Sequence, residues 1–142
     1  MRVNDCFKKR LLRKDKPDML KVKMALEMAE QKRERALELF ENSFFEESIV
    51  ASYTAMFHAA RALLFKDGII ERSHACVIAY LREKYIKNLG HDRVGWLDTY
   101  RLERHESFYG LESSRFNQLE AKDALDKSEK FVQSIKDVID NT

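Results

Sequence analysis

From Ile49 to Leu64 the apolar residues keep a 3.6-residue period. Ile49, Tyr53, Met56, Phe57, Ala60 and Leu64 fall on one face, with few charges among them. That pattern predicts a buried helix reaching to about Lys66, and the rest of the chain is built to match it. There is a single proline, Pro17, and only four glycines, so little interrupts helical runs. Ahead of this segment, a helix from about Asp18 to Glu41 carries the stripe Leu20, Met24 and Met28, continued by Ala25, Ala29, Ala36 and Phe40. Behind it, Ser73 is placed to cap a helix over 74–88 with Val77, Leu81 and Tyr85 as its stripe, supported by Ala75 and Ile78. A further helix is expected over 92–108. The last, over 117–140, has the seam Ala121, Ala124, Ser128, Phe131, Ile135 and Val138.

The junctions read as follows. Ser43 and Glu46 fit a capping box. Asp67-Gly68 stops the Ile49–Leu64 helix, and 68–72 is a loop. Residues 3–14 form a short amphipathic helix with Phe7, Leu11 and Leu12 on one side. No strand run, glycine-rich phosphate loop or internal repeat is evident. The expected fold is all-α: an up-and-down antiparallel bundle of five to six helices joined by short loops.

The 142 residues suit one domain with a real core. Residues 1–15 stand apart as a basic segment, and 16–142 make the helical domain. The 26 basic and 24 acidic residues nearly cancel, so net charge alone does not call for a nucleic-acid partner. Their distribution is uneven: Arg2, Lys8, Lys9, Arg10, Arg13 and Lys14 crowd the N-terminal segment, which reads as a solubilising tail or a phosphate-binding arm. No apolar run approaches the ~18 residues of a membrane span. The N-terminus lacks the apolar core of a secretory signal. Cys6 and Cys76 have no metal-ligand spacing and are expected to be free thiols in a reducing cytoplasm.

One helix face departs from the apolar rule. Arg101, Arg104, His105 and Phe108 stand at i, i+3, i+4 and i+7. Buried charge costs several kcal/mol unless paired, so this face meets either solvent or something negative. Among the other histidines, His58 lies in an apolar helix and reads as a core or boundary residue. His74 reads as a polar helix terminus, and His91 as loop. No pair has ligand spacing, so neither a metal site nor a cofactor is expected.

Three segments together carry a resemblance. They are SYTAMFHAARALLFKDGI at Ser52–Ile69, Ser73-His74 opening the next helix, and Arg104-His105 followed by Phe108 and Tyr109. Spaced alanines leading into Phe131-Val132 extend it. In their order and spacing these segments resemble the HEPN domain over roughly residues 15–140. HEPN domains are helical and occur in prokaryotic toxin–antitoxin pairs and fused to nucleotidyltransferases. Nucleolytic members carry an Arg, a polar residue after it, and a His five to seven positions beyond the Arg. Here Arg104 and His105 match the first two, but Tyr109 and Gly110 stand where the distal His belongs. Counting from Arg101 instead places His105 at four. The chain is therefore similar to the branch in which the Arg is followed by an aromatic, often Tyr.

The resemblance implies a site in which Arg104 and His105 are the catalytic candidates, while Arg101, Tyr109, Tyr53 and His58 bind nucleotide or RNA. It implies a homodimer whose cleft duplicates Arg104 and His105, and a minimal nucleotidyltransferase as partner. If the domain is an enzyme, the implied activity is that of a metal-independent endoribonuclease, in which the 2′-hydroxyl attacks its own phosphate. Arg suits the phosphate because its planar fork keeps its charge, and His suits proton transfer because it titrates near neutrality. Two other readings stay open: a non-catalytic nucleotide- or RNA-binding module, and a plain dimeric scaffold.

Overall fold

A computed structural model describes residues 1–109 and 116–141, with side chains through residue 105 and again from 116. Among the described residues the elements run α1 Val3–Lys8, β1 Leu12–Lys14, α2 Met19–Glu41, α3 Phe45–Lys66, β2 Ile69–Glu71, α4 His74–Lys84, α5 Ile86–Leu89, α6 His91–Tyr109 and α7 Gln118–Asp140. The fold is an all-α helical bundle with one small two-stranded ribbon. Helix α3 is its axis and packs against α2, α6 and α7. Tyr53, Met56, Leu63 and Leu64 of α3 are almost wholly buried, as are Phe131 and Ile135 of α7. Each such side chain stabilises by roughly 2 kcal/mol relative to exposure.

Side-chain caps start three of the helices. Asp18 accepts the Lys21 amide at 3.1 Å, Ser73 accepts that of Cys76 at 3.2 Å, and Asn117 accepts that of Glu120 at 3.0 Å. The α2–α3 junction does not use the expected capping box. Ser43 has φ +63°, its amide donates to the Phe40 carbonyl at 3.0 Å, and the Phe44 amide donates to that of Leu39 at 2.8 Å. Those are the two bonds of a Schellman ending, with Ser43 in the left-handed position usually given to glycine. Ser43 thus closes α2 and has no capping role in α3, whose N-cap is Phe44.

The buried face of α2 also differs from the expected one. Val22, Ala25, Ala29 and Ala36 are buried, whereas Leu20, Met24 and Met28 are 67, 57 and 37% exposed. Ala51, Ala55, Ala59 and Ala62 are buried on α3. Small side chains let two helix axes approach closely, so the alanine stripe wins the interface and the larger residues turn outward.

The segment 68–72, expected as loop, contains β2. It pairs antiparallel with β1 in the register Leu12↔Glu71, Arg13↔Ile70, Lys14↔Ile69. Gly68 makes the approach possible. It has φ +73°, and a Cβ there would sit 2.5 Å from the Asp15 carbonyl oxygen. The short helix expected over 3–14 ends at Lys8, because Arg10 takes φ +57° and turns the chain into β1.

Cys6 and Cys76 are not free thiols. They form a disulfide between α1 and α4, with Cα atoms 5.9 Å apart, and both are fully buried. Seventy residues separate them, so spacing gives no hint of the pairing; the ribbon that returns the N-terminal segment to α4 creates it. Val3 and Leu12 are buried in the common core, and the Val3 amide donates to the Glu83 carboxylate at 2.7 Å. Among the described residues no helix is long and apolar enough to cross a membrane.

Candidate functional site

Tyr53, Phe57 and Arg61 stand at i, i+4 and i+8 along α3, with His58 beside them. The N-terminus of α4 sets His74 against this row. Its ring lies parallel to that of Phe57, with centroids 3.8 Å apart and an interplanar angle of 7°. Its Nδ1 is 2.6 Å from the Tyr53 hydroxyl. The Ser73 cap fixes the backbone just ahead, so His74 is held from the chain side, the ring face and one ring nitrogen.

Helix α6 supplies the charge. Arg101 donates through Nε to Asp98 at 3.1 Å, and the same carboxylate receives Arg82 at 3.5 Å. Arg104 is half-buried one turn further on, and His105 is exposed. Both Arg101 and Arg104 lie close enough for their charges to act on Tyr53 and His74. Tyr109 ends α6, and its side chain lies outside the described residues, as does Gly110.

Each titratable group here has a physical reason for its state. Burial raises the Tyr53 phenol and outweighs the opposing Arg104 and Arg101 charges, so the hydroxyl keeps its proton. Burial lowers His74, and Arg104, Arg101 and Arg61 add to it. Burial also brings His58 down to about 4, helped by Arg61, Lys32 and His74. Arg61 is ion-paired with Glu71 of β2, and its other arm lies 3.4 Å from His58 Nδ1. The result is a strip from Arg61 and His58, past Phe57 and His74, to Tyr53, Arg101 and Arg104. It joins three guanidiniums to two neutral imidazoles.

The strip brings together three residues expected from the sequence: Arg101, Arg104 and Tyr53. His58 sits on the far side of Phe57 from Tyr53, where it lines a separate groove of about 420 Å³ with Arg13, Met24, Met28 and Phe65. His74 is the addition. From sequence it was a polar helix end. Its signal was the Ser73-His74 dipeptide, but nothing local says that the start of α4 falls against Tyr53 and Phe57. Trp96 and Tyr100 serve packing. Trp96 lies against the core, and Tyr100 is buried with its hydroxyl donating to Asp123 at 2.6 Å.

Such an arrangement can hold an anion. Guanidiniums offer charge and paired donors, and neutral imidazoles offer a donor or acceptor without repelling a cation. Among the described residues no group of three or more His, Cys, Asp and Glu side chains is placed to hold a metal ion.

Comparison with known proteins gives the family. The chain is 33% identical over 86 residues to a Methanocaldococcus jannaschii protein named "Putative toxin MJ0605", covering 57% of this chain and 63% of that protein. It is 34% identical over 82 residues to the UPF0332 protein PH1297 of Pyrococcus horikoshii, covering 51% of this chain and 58% of that protein. The matches thus span about three fifths of each relative's own length. The model of the HEPN domain matches residues 22–138, which takes in α3, the start of α4 and all of α6, and the chain belongs to the HEPN domain family.

Proposed function

We propose that this HEPN domain binds the phosphate of RNA or of a nucleotide through Arg104 and Arg101, with His105 at the exposed edge of the site and Tyr53 beside it. The observation that carries this reading is that Arg104 and Arg101 of α6 lie close enough for their charges to act on Tyr53 and on His74, which are themselves joined by a 2.6 Å hydrogen bond. The cationic strip flanks neutral rings, and its carboxylates, Asp98 and Glu71, are already engaged by arginines. A polyanion suits such a cationic surface. The toxin name of one relative supports a toxin-type role; the minimal nucleotidyltransferase partner is what the family resemblance implies for a toxin–antitoxin pair. A homodimer that pairs two α6 faces would present Arg104 and His105 twice in one cleft. The RNA this reading requires is intracellular, which makes the cytoplasm the proposed location; the Cys6–Cys76 disulfide removes the thiol argument for it.

A second reading, a metal-independent endoribonuclease, is favoured by one observation: an imidazole, His74, sits within reach of the Arg104 charge although α6 lacks the distal His. One experiment separates the readings. Labelled single-stranded RNA is mixed with the protein in EDTA, and binding and cleavage are followed for wild type, Arg104→Ala and His105→Ala, with mass from light scattering. Binding by a dimer, weakened about tenfold or more in Arg104→Ala, supports the binding module. Cleavage lost in both variants shifts the conclusion to the endoribonuclease. A protein that neither binds nor cleaves is a scaffold, and a strict monomer refutes the shared cleft.

A further inference from the structure

His74 has one nitrogen committed and one open. Nδ1 meets the Tyr53 hydroxyl at 2.6 Å. The Tyr53 hydroxyl has no other hydrogen-bond partner among the described residues, so its proton is directed at Nδ1. Stacking on Phe57, with ring centroids 3.8 Å apart, and the Tyr53 hydrogen bond orient the ring. Nε2 remains for a ligand, and no hydrogen-bond partner for it is found among the described residues. The charged groups acting on this ring are Arg101 and Arg104 from α6 and Arg61 from α3. His58 on α3 is also coupled to it, Asp98 sits on Arg101, and Glu71 of β2 sits on Arg61.

We infer that His74 is the proton-carrying member of the phosphate site, its Nε2–H donating to a phosphate oxygen held by Arg104 and Arg101 while the ring takes up a proton at Nδ1 as the phosphate binds. This rests on the phosphate-binding reading above. In the free protein burial, and after it the charges of Arg104, Arg101 and Arg61, hold the imidazole neutral. A bound phosphate offsets those charges and adds its own, so the cationic imidazole becomes the favoured form. The Tyr53 hydroxyl accommodates both states, donating to neutral Nδ1 or accepting from Nδ1–H once the ring is charged.

The assignment has a chemical consequence. When a 2′-hydroxyl attacks its neighbouring phosphate, a bond forms from the 2′-oxygen to phosphorus and the bond to the 5′-oxygen breaks. The 2′-hydroxyl proton passes to water, and the 5′-oxygen needs a proton. An imidazolium at His74 supplies that proton and returns to the neutral form, with no metal or other co-reactant. His74 thereby fills in space the role that α6 leaves empty in sequence.

The sign of the pH dependence follows. Binding takes up a proton between the free and the bound pKa of His74. Affinity is level above the bound value, rises as pH falls through the window, and levels off below the free value. The test uses a fluorescein-labelled all-2′-deoxy decanucleotide, which cannot be cleaved by this route, with anisotropy read from pH 5.5 to 8. Wild type is expected to bind about tenfold more tightly at the acid end of the range, while His74→Gln binds with a flat profile. In parallel, the 15N shift of His74 in the wild-type protein is expected to move toward imidazolium on adding the oligonucleotide at constant pH, a readout that does not depend on the variant folding. Binding that is lost in Arg104→Ala while the His74 shift stays put, or while His74→Gln keeps the wild-type slope, overturns this assignment alone. No binding by wild type, or equal binding by Arg104→Ala, overturns the phosphate site and this assignment with it.

Discussion

His58 shows how one residue's setting decides its chemistry. It stands in a helix rich in alanine, and burial with Arg61 and Lys32 nearby holds it neutral, at about 4 against an ordinary 6.5. The unfolded chain takes up that proton near 6.5 and the folded protein refuses it until about 4. Between those values the unfolded state holds more protons, so stability falls as pH falls, and the full contribution is present above 6.5. An NMR titration is expected to place the His58 midpoint near 4, and a midpoint near 6.5 would show that the ring is solvated. The sequence allowed the reading of His58 as a boundary residue because its neighbours are apolar. It did not allow the reading of His74, whose state depends on Tyr53, Phe57, Arg101 and Arg104, all of them more than fifteen residues away. Local pattern reports composition along one element and is silent about what another element brings to it.

Helix α2 makes the same point for elements. Its extent was legible from Asp18 and from the period of its apolar residues, as was α7, whose seam from Ala121 to Val138 is buried throughout. The face of α2 was not, because it has two apolar stripes and only the partner helix chooses between them. Close packing against the alanines of α3 selects Ala25, Ala29 and Ala36 and leaves Leu20, Met24 and Met28 outside. The two stripes therefore differ in their response to substitution. Ala29→Met is expected to destabilise by about 1–3 kcal/mol through overpacking, while Leu20→Ala stays within about 0.5 kcal/mol. Urea unfolding of both variants checks this, and the reverse order would mean that the Leu20 stripe faces the core. The three-residue strands were invisible for a related reason: Leu12–Lys14 and Ile69–Glu71 are too short to show a period, and only their pairing defines them.

For the molecule as a whole, the N-terminal segment is tied to the bundle by strand pairing and by the Cys6–Cys76 bond, which closes a loop of about 70 residues. Chain-entropy arguments assign such a crosslink about 4 kcal/mol. Reduction with a thiol, or Cys6→Ser with Cys76→Ser, is expected to lower Tm by many degrees while leaving the helical content at low temperature, and an unchanged Tm would mean that the bond adds nothing. This crosslink lies two residues beyond His74, so it also anchors the start of α4 that the site depends on. The central claim is that the α6 arginines form a phosphate site, and its most direct measurement is the salt dependence of oligonucleotide binding. Each phosphate contact contributes about −0.7 to the slope of log K against log salt for a single strand. If Arg104 makes such a contact, Arg104→Ala will bind more weakly and its slope will be shallower by about that amount. A variant that keeps both the wild-type affinity and the wild-type slope would contradict the account.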